Sequence, residues 1–239
     1  GGQTIFPNQY GPYIVQQENS DLTPEAEWLQ DKTRARRLVS IPLAQLNPRQ
    51  LRNETMRVTL AREETGCLVL PPEPVPLLAR MGLTRSARKR LMVAAGTPVL
   101  IARGSHPYKK ILMAASDEQS ANAVTGVAVD IARQCGASLS SLTILPPSLV
   151  DGGSEEAERK ELPMRIAKIA RTHGLEIEKL EDEGNPIERI RKYAADFDLL
   201  IISLSSRVRN SIFHPDISLY FIHEAPCSVL FIPSHTPAH

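Results

Sequence analysis

Between Ser203 and Asp216 the chain carries groups able to hold an anion: the hydroxyls of Ser205, Ser206 and Ser211, the Asn210 amide, and the guanidiniums of Arg207 and Arg209. A guanidinium presents a planar fork of donors that matches phosphate or carboxylate oxygens, and hydroxyls and an amide can complete the shell. The plainer reading of the same residues is a solvated polar loop that joins a strand to a helix. A second basic cluster, Arg80, Arg85, Ser86, Arg88, Lys89 and Arg90, lies in the first half. No aromatic residues are interleaved there to stack bases, so nucleic acid is not an expected partner. Arg88 to Arg90 read instead as a solvated helix face, or as a surface that meets acidic residues.

Catalysis finds little support. The six histidines show no metal-ligand spacing, and His235 and His239, four apart, sit in a proline-containing tail. His214 alone is near the serine and arginine loop. There is no nucleophile elbow, no phosphate-binding Gly-Lys-Ser/Thr loop and no paired-cysteine motif. Cys67, Cys135 and Cys227 are odd in number and widely spaced, which suits core thiols in a reducing compartment. No metal and no cofactor is expected.

At 239 residues and 42% apolar, the chain is long enough for one large domain or two small ones. Its longest apolar run, Leu91 to Ala102, is interrupted by Gly96, Thr97 and Pro98 and falls short of the roughly 20 residues a membrane helix needs. Gly1-Gly2 reads as the scar of a removed tag, so the chain is expected to be part of a longer protein. A formal charge of +1 hides an asymmetry: residues 1–106 carry 14 Lys/Arg against 9 Asp/Glu, and residues 107–239 carry 14 against 18. Opposite signs favour the two halves docking on each other.

The elements that must position the loop are most regular after Tyr108. ILMAAS is a continuous apolar run of strand length, as a parallel strand covered on both faces requires. Asp117 to Cys135 places Ala121, Val124, Ala128 and Ile131 on one helical face, and Gly136 stops it. Ser138 to Leu145 is the next strand, DGGSEE from Asp151 a polar connection, and Leu162, Ile166 and Ile169 mark a helix closed by Gly174. Leu175 to Leu180 alternates as a strand would. Asn185 and Pro186 then open a helix, with Glu188 where a capping box wants an acid. Asp198 to Ser203 is strand, Ile217 to Glu224 helix and Cys227 to Ile232 strand. Strands alternating with helices predict an α/β fold, an open and mostly parallel five-stranded sheet flanked by helices. In such sheets ligands sit at the carboxyl ends of strands, where the serine and arginine loop falls.

YKKILMAAS, the GNP-initiated helix before DLLIIS, and the ending HEAPCSVLFIP together resemble the universal stress protein family over Tyr108 to Pro233. That resemblance implies the adenine nucleotide alpha hydrolase-like fold. In nucleotide-binding members the loop after the fourth strand is rich in glycine, which lets backbone NH groups approach phosphate. Here the corresponding positions are Ser203, Ser206 and Pro215-Asp216, where proline removes a donor and Asp216 adds a negative charge. The acidic residue expected after the first strand is shifted, with Ser116 in its place and Asp117 next. ATP is therefore disfavoured. The candidate ligand-binding residues are Ser116, Asp117, Ser203, Ser205, Ser206, Arg207, Arg209 and Asp216.

An internal repeat extends the pattern backwards. TPVLIARG mirrors CSVLFIP, GCLVLPP mirrors DLLIISL, and LNPRQL mirrors GNPIERI. Two units in tandem follow: a partial or degenerate one over residues 1–105 and a complete one over 106–239. Arg37 to Leu46 becomes the first unit's third strand, Pro48 to Glu64 its third helix and Thr84 to Ala95 its fourth, with a further helix begun at Thr23-Pro24. PPEPVP replaces the loop after its fourth strand with a segment poor in NH donors. Family dimers pair through the last strand, so Thr97–Ala102 and Cys227–Ile232 are the expected paired edges of a pseudo-dimer within the chain, which leaves room for a homodimer. The expected function is a non-enzymatic regulatory or stress-response module in the cytoplasm. It would bind a small anion weakly or a protein partner, as the cytoplasmic domain of a fused transporter such as a cation/proton antiporter or permease. The alternative is an ATP-binding member using the Ser203–Asp216 loop with Asp117.

Overall fold

Apolar runs that alternate between two buried faces become central strands, since a strand covered on both sides needs no polar face. The computed structural model describes residues 6–18, 21–41, 64–72, 87–115, 118–145, 154–204 and 217–233. Its strands are β1 (Tyr13–Gln17), β2 (Arg37–Ile41), β3 (Thr65–Leu70), β4 (Val99–Ile101), β5 (Lys110–Ala114), β6 (Ser138–Leu145), β7 (Glu178–Glu183), β8 (Leu199–Leu204) and β9 (Ser228–Pro233). The described helices are α1 (Thr23–Thr33), α2 (Ala87–Ala95), α3 (Glu118–Cys135), α4 (Ser154–Thr172), α5 (Pro186–Ala194) and α6 (Ile217–His223). The strands form one sheet in the order β2-β1-β3-β4-β9-β8-β5-β6-β7. Neighbours are parallel throughout except β4 and β9, which run antiparallel with Leu100 opposite Leu230. The edges expected to pair are those that do.

Alternate residues of each strand feed two cores. Ile14, Cys67, Val69, Leu100, Ile111, Met113, Leu199 and Leu230 face α1, α3 and α4. Val15, Leu68, Leu70, Val99, Ile101, Leu112, Leu200, Val229 and Phe231 face α2, α5 and α6. The result is a three-layer sandwich whose sheet is continuous across both halves. Asn185 caps α5 as its type predicts, its Oδ1 accepting from the Ile187 NH at 3.0 Å, with Pro186 in the first turn.

The structure corrects several boundaries. Arg37–Ile41 is not a third strand: it pairs with β1, which β3 flanks on the other side, just as β6 and β8 flank β5. It therefore occupies a second-strand position, and Tyr13–Gln17 is the first strand, with α1 between them. The predicted strand at Leu175–Leu180 lies instead at Glu178–Glu183. Leu175 and Ile177 pack on the core ahead of the ladder, and pairing with β6 runs from Ser140 opposite Glu178 to Leu145 opposite Glu183. The polar connection from Asp151 is helical from Ser154 on. Arg88 and Lys89 are buried, so only Arg90 of that trio lies on a solvated face. The expected helix over Pro48–Glu64 lies outside the described residues apart from Glu64, as do LNPRQL, Pro74 to Pro76, Arg80, Arg85 and Ser86.

Ahead of β1 the chain reaches across to the other half. Phe6 is fully buried, its NH donates to Asp130 Oδ2 of α3 at 3.1 Å, and Gln134 Nε2 donates to its carbonyl at 2.9 Å. The arm then passes so close to β3 that a Cβ on Gly66 would collide with the Gly11 carbonyl, which only glycine at that position avoids.

Candidate functional site

The order reverses at β5, which β6 and β8 flank, so the crevice beyond the carboxyl ends of β5 and β8 is where this topology places a ligand. Ala114 ends β5 on one side, with Ala115 just beyond it. Ser203 and Leu204 end β8 on the other. Ser203, half-buried and paired with Ile232, accepts at its carbonyl from Ser218 Oγ at 3.2 Å, which fastens the start of α6 to the end of β8. Ser116, Asp117, Ser205, Ser206, Arg207, Arg209 and Asp216 lie outside the described residues, with Asn210, Ser211 and His214. Of the sequence-predicted set, the described geometry thus places Ser203 alone.

At the opposite end of the sheet, where β4 ends and β5, β8 and β9 begin, polar groups are drawn together from distant parts of the chain. Glu25 of α1 is the centre, 1% exposed. Its Oε1 accepts from the Tyr108 hydroxyl and from Ser228 Oγ at 2.6 Å, and its Oε2 accepts from the Gly104 NH at 2.7 Å. Ser228 Oγ also accepts from the Arg103 NH at 2.8 Å, while the Ser228 NH donates to Ser105 Oγ at 2.8 Å. Ser105 Oγ in turn donates to the Asp198 carbonyl at 2.6 Å. Asp198 Oδ2 accepts from the NH groups of Lys109 and Lys110 at 2.8 and 2.9 Å, which fixes the starts of β5 and β8 against each other. Arg103 Nη2 donates to the carbonyls of Ile222 and Phe221, 3.1 and 3.4 Å away, at the C-terminal end of α6, where a cation also meets the helix dipole favourably. Trp28 leans edge-on to Tyr108 at 4.8 Å and lies 6.2 Å from His106.

Burial sets the electrostatics of this knot. Desolvation pushes the Tyr108 hydroxyl well above its ordinary value, and Glu25 beside it adds to the effect. Desolvation lowers Arg103, against the pull of Cys227 and Glu25. The Cys67, Cys135 and Cys227 thiols are all free and are pushed by burial up to about 12, so they are protonated and unreactive at neutral pH. Among the described residues no cluster of His, Cys, Asp and Glu could hold a metal ion. An enclosed carboxylate with three donors has no open face for a substrate. What the knot can do is hold α1 of the first half against the 103–108 connection and β9.

Sequence reasoning passed over Glu25, Arg103, Ser105, Tyr108, Asp198 and Ser228. One signal was present: Glu25 adjoins Ala26 and Leu29, the inward residues of α1.

Residues 107–233, more than half of the chain, match the model of the Universal stress protein family. The chain belongs to that family. Among curated protein sequences none matches. Solved structures similar to this universal stress protein include one from Archaeoglobus fulgidus at 12% identity and a TM-score of 0.65, covering 94% of this chain and 97% of that one. A putative universal stress protein from Pseudomonas aeruginosa is similar at 18% identity and a TM-score of 0.62, covering 94% of each chain. The cytoplasmic domain of a prokaryotic cation chloride cotransporter is similar at 14% identity and a TM-score of 0.50, covering 93% of this chain and 84% of that one. At these identities the likeness is one of fold. No described helix is long and apolar enough to cross a membrane.

Proposed function

We propose that this universal stress protein is a non-enzymatic regulatory module of two units, residues 1–105 and 106–239, that binds a small anion weakly or a protein partner on the cytoplasmic side of a membrane. The observation that carries the reading is the loop after β8: where nucleotide-binding relatives are expected to use glycines, this chain has Ser203, Ser206 and Pro215-Asp216. Proline removes an NH donor and Asp216 repels phosphate, while Arg207 and Arg209 still attract an anion. The fused-transporter part is supported by the likeness, over 93% of the chain, to a cotransporter's cytoplasmic domain.

Isothermal titration with ATP and Mg²⁺, and separately with inorganic phosphate, tests the ligand. Weak phosphate binding that disappears in Arg207→Ala, with no tight ATP binding, is expected. Tight ATP binding lost in Arg207→Ala would replace this reading with the nucleotide-binding one. Membrane-spanning segments encoded upstream of Gln3 are the expected finding for a transporter domain.

A further inference from the structure

The two margins of the sheet carry opposite charge. At one, β7 is bordered by Glu176 and carries Glu178, Glu181, Asp182 and Glu183 against one Lys179. Glu178 is engaged by Ser140 Oγ at 2.8 Å and Asp182 by Arg189 at 3.6 Å, whereas Glu181 and Glu183 are exposed. At the other margin, Arg34, Arg36 and Arg37 are exposed at the start of β2, with no acidic residue between Arg34 and Ile41. Both strands are terminal in the sheet among the described residues.

Direction makes the charges match. β1 to β4 are mutually parallel, β5 to β9 are mutually parallel, and the antiparallel β4–β9 seam makes β2 and β7 run in opposite directions. A second copy that continues the twist of the sheet, with its helix layers on the same sides, therefore offers its β2 antiparallel to β7. That arrangement puts the end of β7, Glu181 and Glu183, beside the start of the neighbour's β2, Arg36 and Arg37. A two-fold pairing of β7 with β7, or of β2 with β2, would instead oppose like charges, which is destabilising. Charged edges normally keep sheets apart. Here they select one edge for the other.

We propose that copies of this chain associate head to tail, β7 of one adding to β2 of the next. The contact is heterologous, so it has no built-in stop and extends to chains of copies rather than closing at a dimer. Being between exposed charges, it weakens as salt rises.

Sedimentation velocity of the full chain over a concentration series tests this. At low ionic strength the weight-average mass is expected to climb past that of a dimer without a plateau, and to return to that of one chain at high salt. Glu181→Lys/Glu183→Lys and Arg36→Glu/Arg37→Glu should each lose the large species while keeping the wild-type circular dichroism spectrum. An equimolar mixture of the two should regain them, because each variant's reversed edge matches the other's. A wild type that stays a single chain at every concentration, a plateau at dimer, or association that survives either reversal overturns the proposal.

Discussion

Asp130 shows how one buried group ties a local contact to the pH dependence of stability. It is 8% exposed and accepts from the Phe6 NH. Desolvation pushes its carboxyl up, while the Phe6 NH, His173 and Arg133 pull it down, and the upward effect is the larger. In the window above the ordinary value of 3.8 the folded chain holds this proton more tightly than the unfolded chain. Its contribution to stability is therefore greatest at acid pH and is lost as pH rises through the folded value. Asp130→Asn keeps an acceptor for Phe6 and removes the titration, so urea midpoints measured from about pH 4 to about pH 7 should flatten relative to wild type. Asp130→Ala leaves the Phe6 NH buried without that acceptor and should cost about 1–3 kcal/mol throughout. Tyr108 obeys the same sign at the alkaline end. Because burial and Glu25 hold its proton, the unfolded chain ionises first, and stability should fall as pH rises above the ordinary value of 10.0, a fall that Tyr108→Phe removes from the urea midpoints.

At the scale of elements, the arm before β1 is fastened to α3 as well as to its own half, and Phe6 is its anchor on α3. Truncation of this fully buried side chain in Phe6→Ala should cost about 3–5 kcal/mol in urea unfolding, a core-sized loss from a residue near the chain's start. That contact was illegible in the sequence, since nothing local tells one phenylalanine that its pocket lies on a helix more than 120 residues away. The strands of the second half were legible, because LLIISL and SVLFIP are buried on both faces and need no polar partner. β1 was not, since its last two residues are glutamines. Gln16 is buried with Nε2 donating to Thr23 Oγ1 at 3.3 Å and Ser40 Oγ at 2.9 Å, and hydrogen bonds of that kind leave no apolar period to read. Missing β1 moved β2 one place along the sheet. β7 slipped for the complementary reason: an acidic edge strand carries a weaker alternation than the Leu175 and Ile177 that precede it. The candidate ligand loop is an expectation from its residue types, and of its residues the described geometry reaches Ser203, at the end of β8.

For the whole molecule, the decisive feature is that two halves share one sheet yet are also held by a second device. The β4–β9 seam is short, with paired residues Val99, Leu100 and Ile101 of β4 against Phe231, Leu230 and Val229 of β9. Apolar strand pairing alone is an association that sliding could relax, whereas Glu25 fixes direction and distance at once by accepting from Tyr108, Ser228 and the Gly104 NH. A buried carboxylate with those donors is specific because every alternative placement leaves some of them unpaired. The single tryptophan, Trp28, stands three residues further along α1 and leans on Tyr108, so its emission reports on this junction. In wild type, urea transitions followed by Trp28 emission and by far-ultraviolet circular dichroism should coincide, as for one cooperative unit. Glu25→Ala strands the Tyr108 and Ser228 hydroxyls and the Gly104 NH, and should lower stability by about 2 kcal/mol or more. Its signature is that the Trp28 transition moves to lower urea ahead of the circular dichroism, as the junction loosens before the sheet melts. Glu25→Gln keeps the side-chain shape but turns an amide donor toward one of those donors, so it should show the same split to a smaller degree. A Glu25→Ala variant whose two transitions shift together would mean that the seam, and not the carboxylate, sets the orientation of the halves.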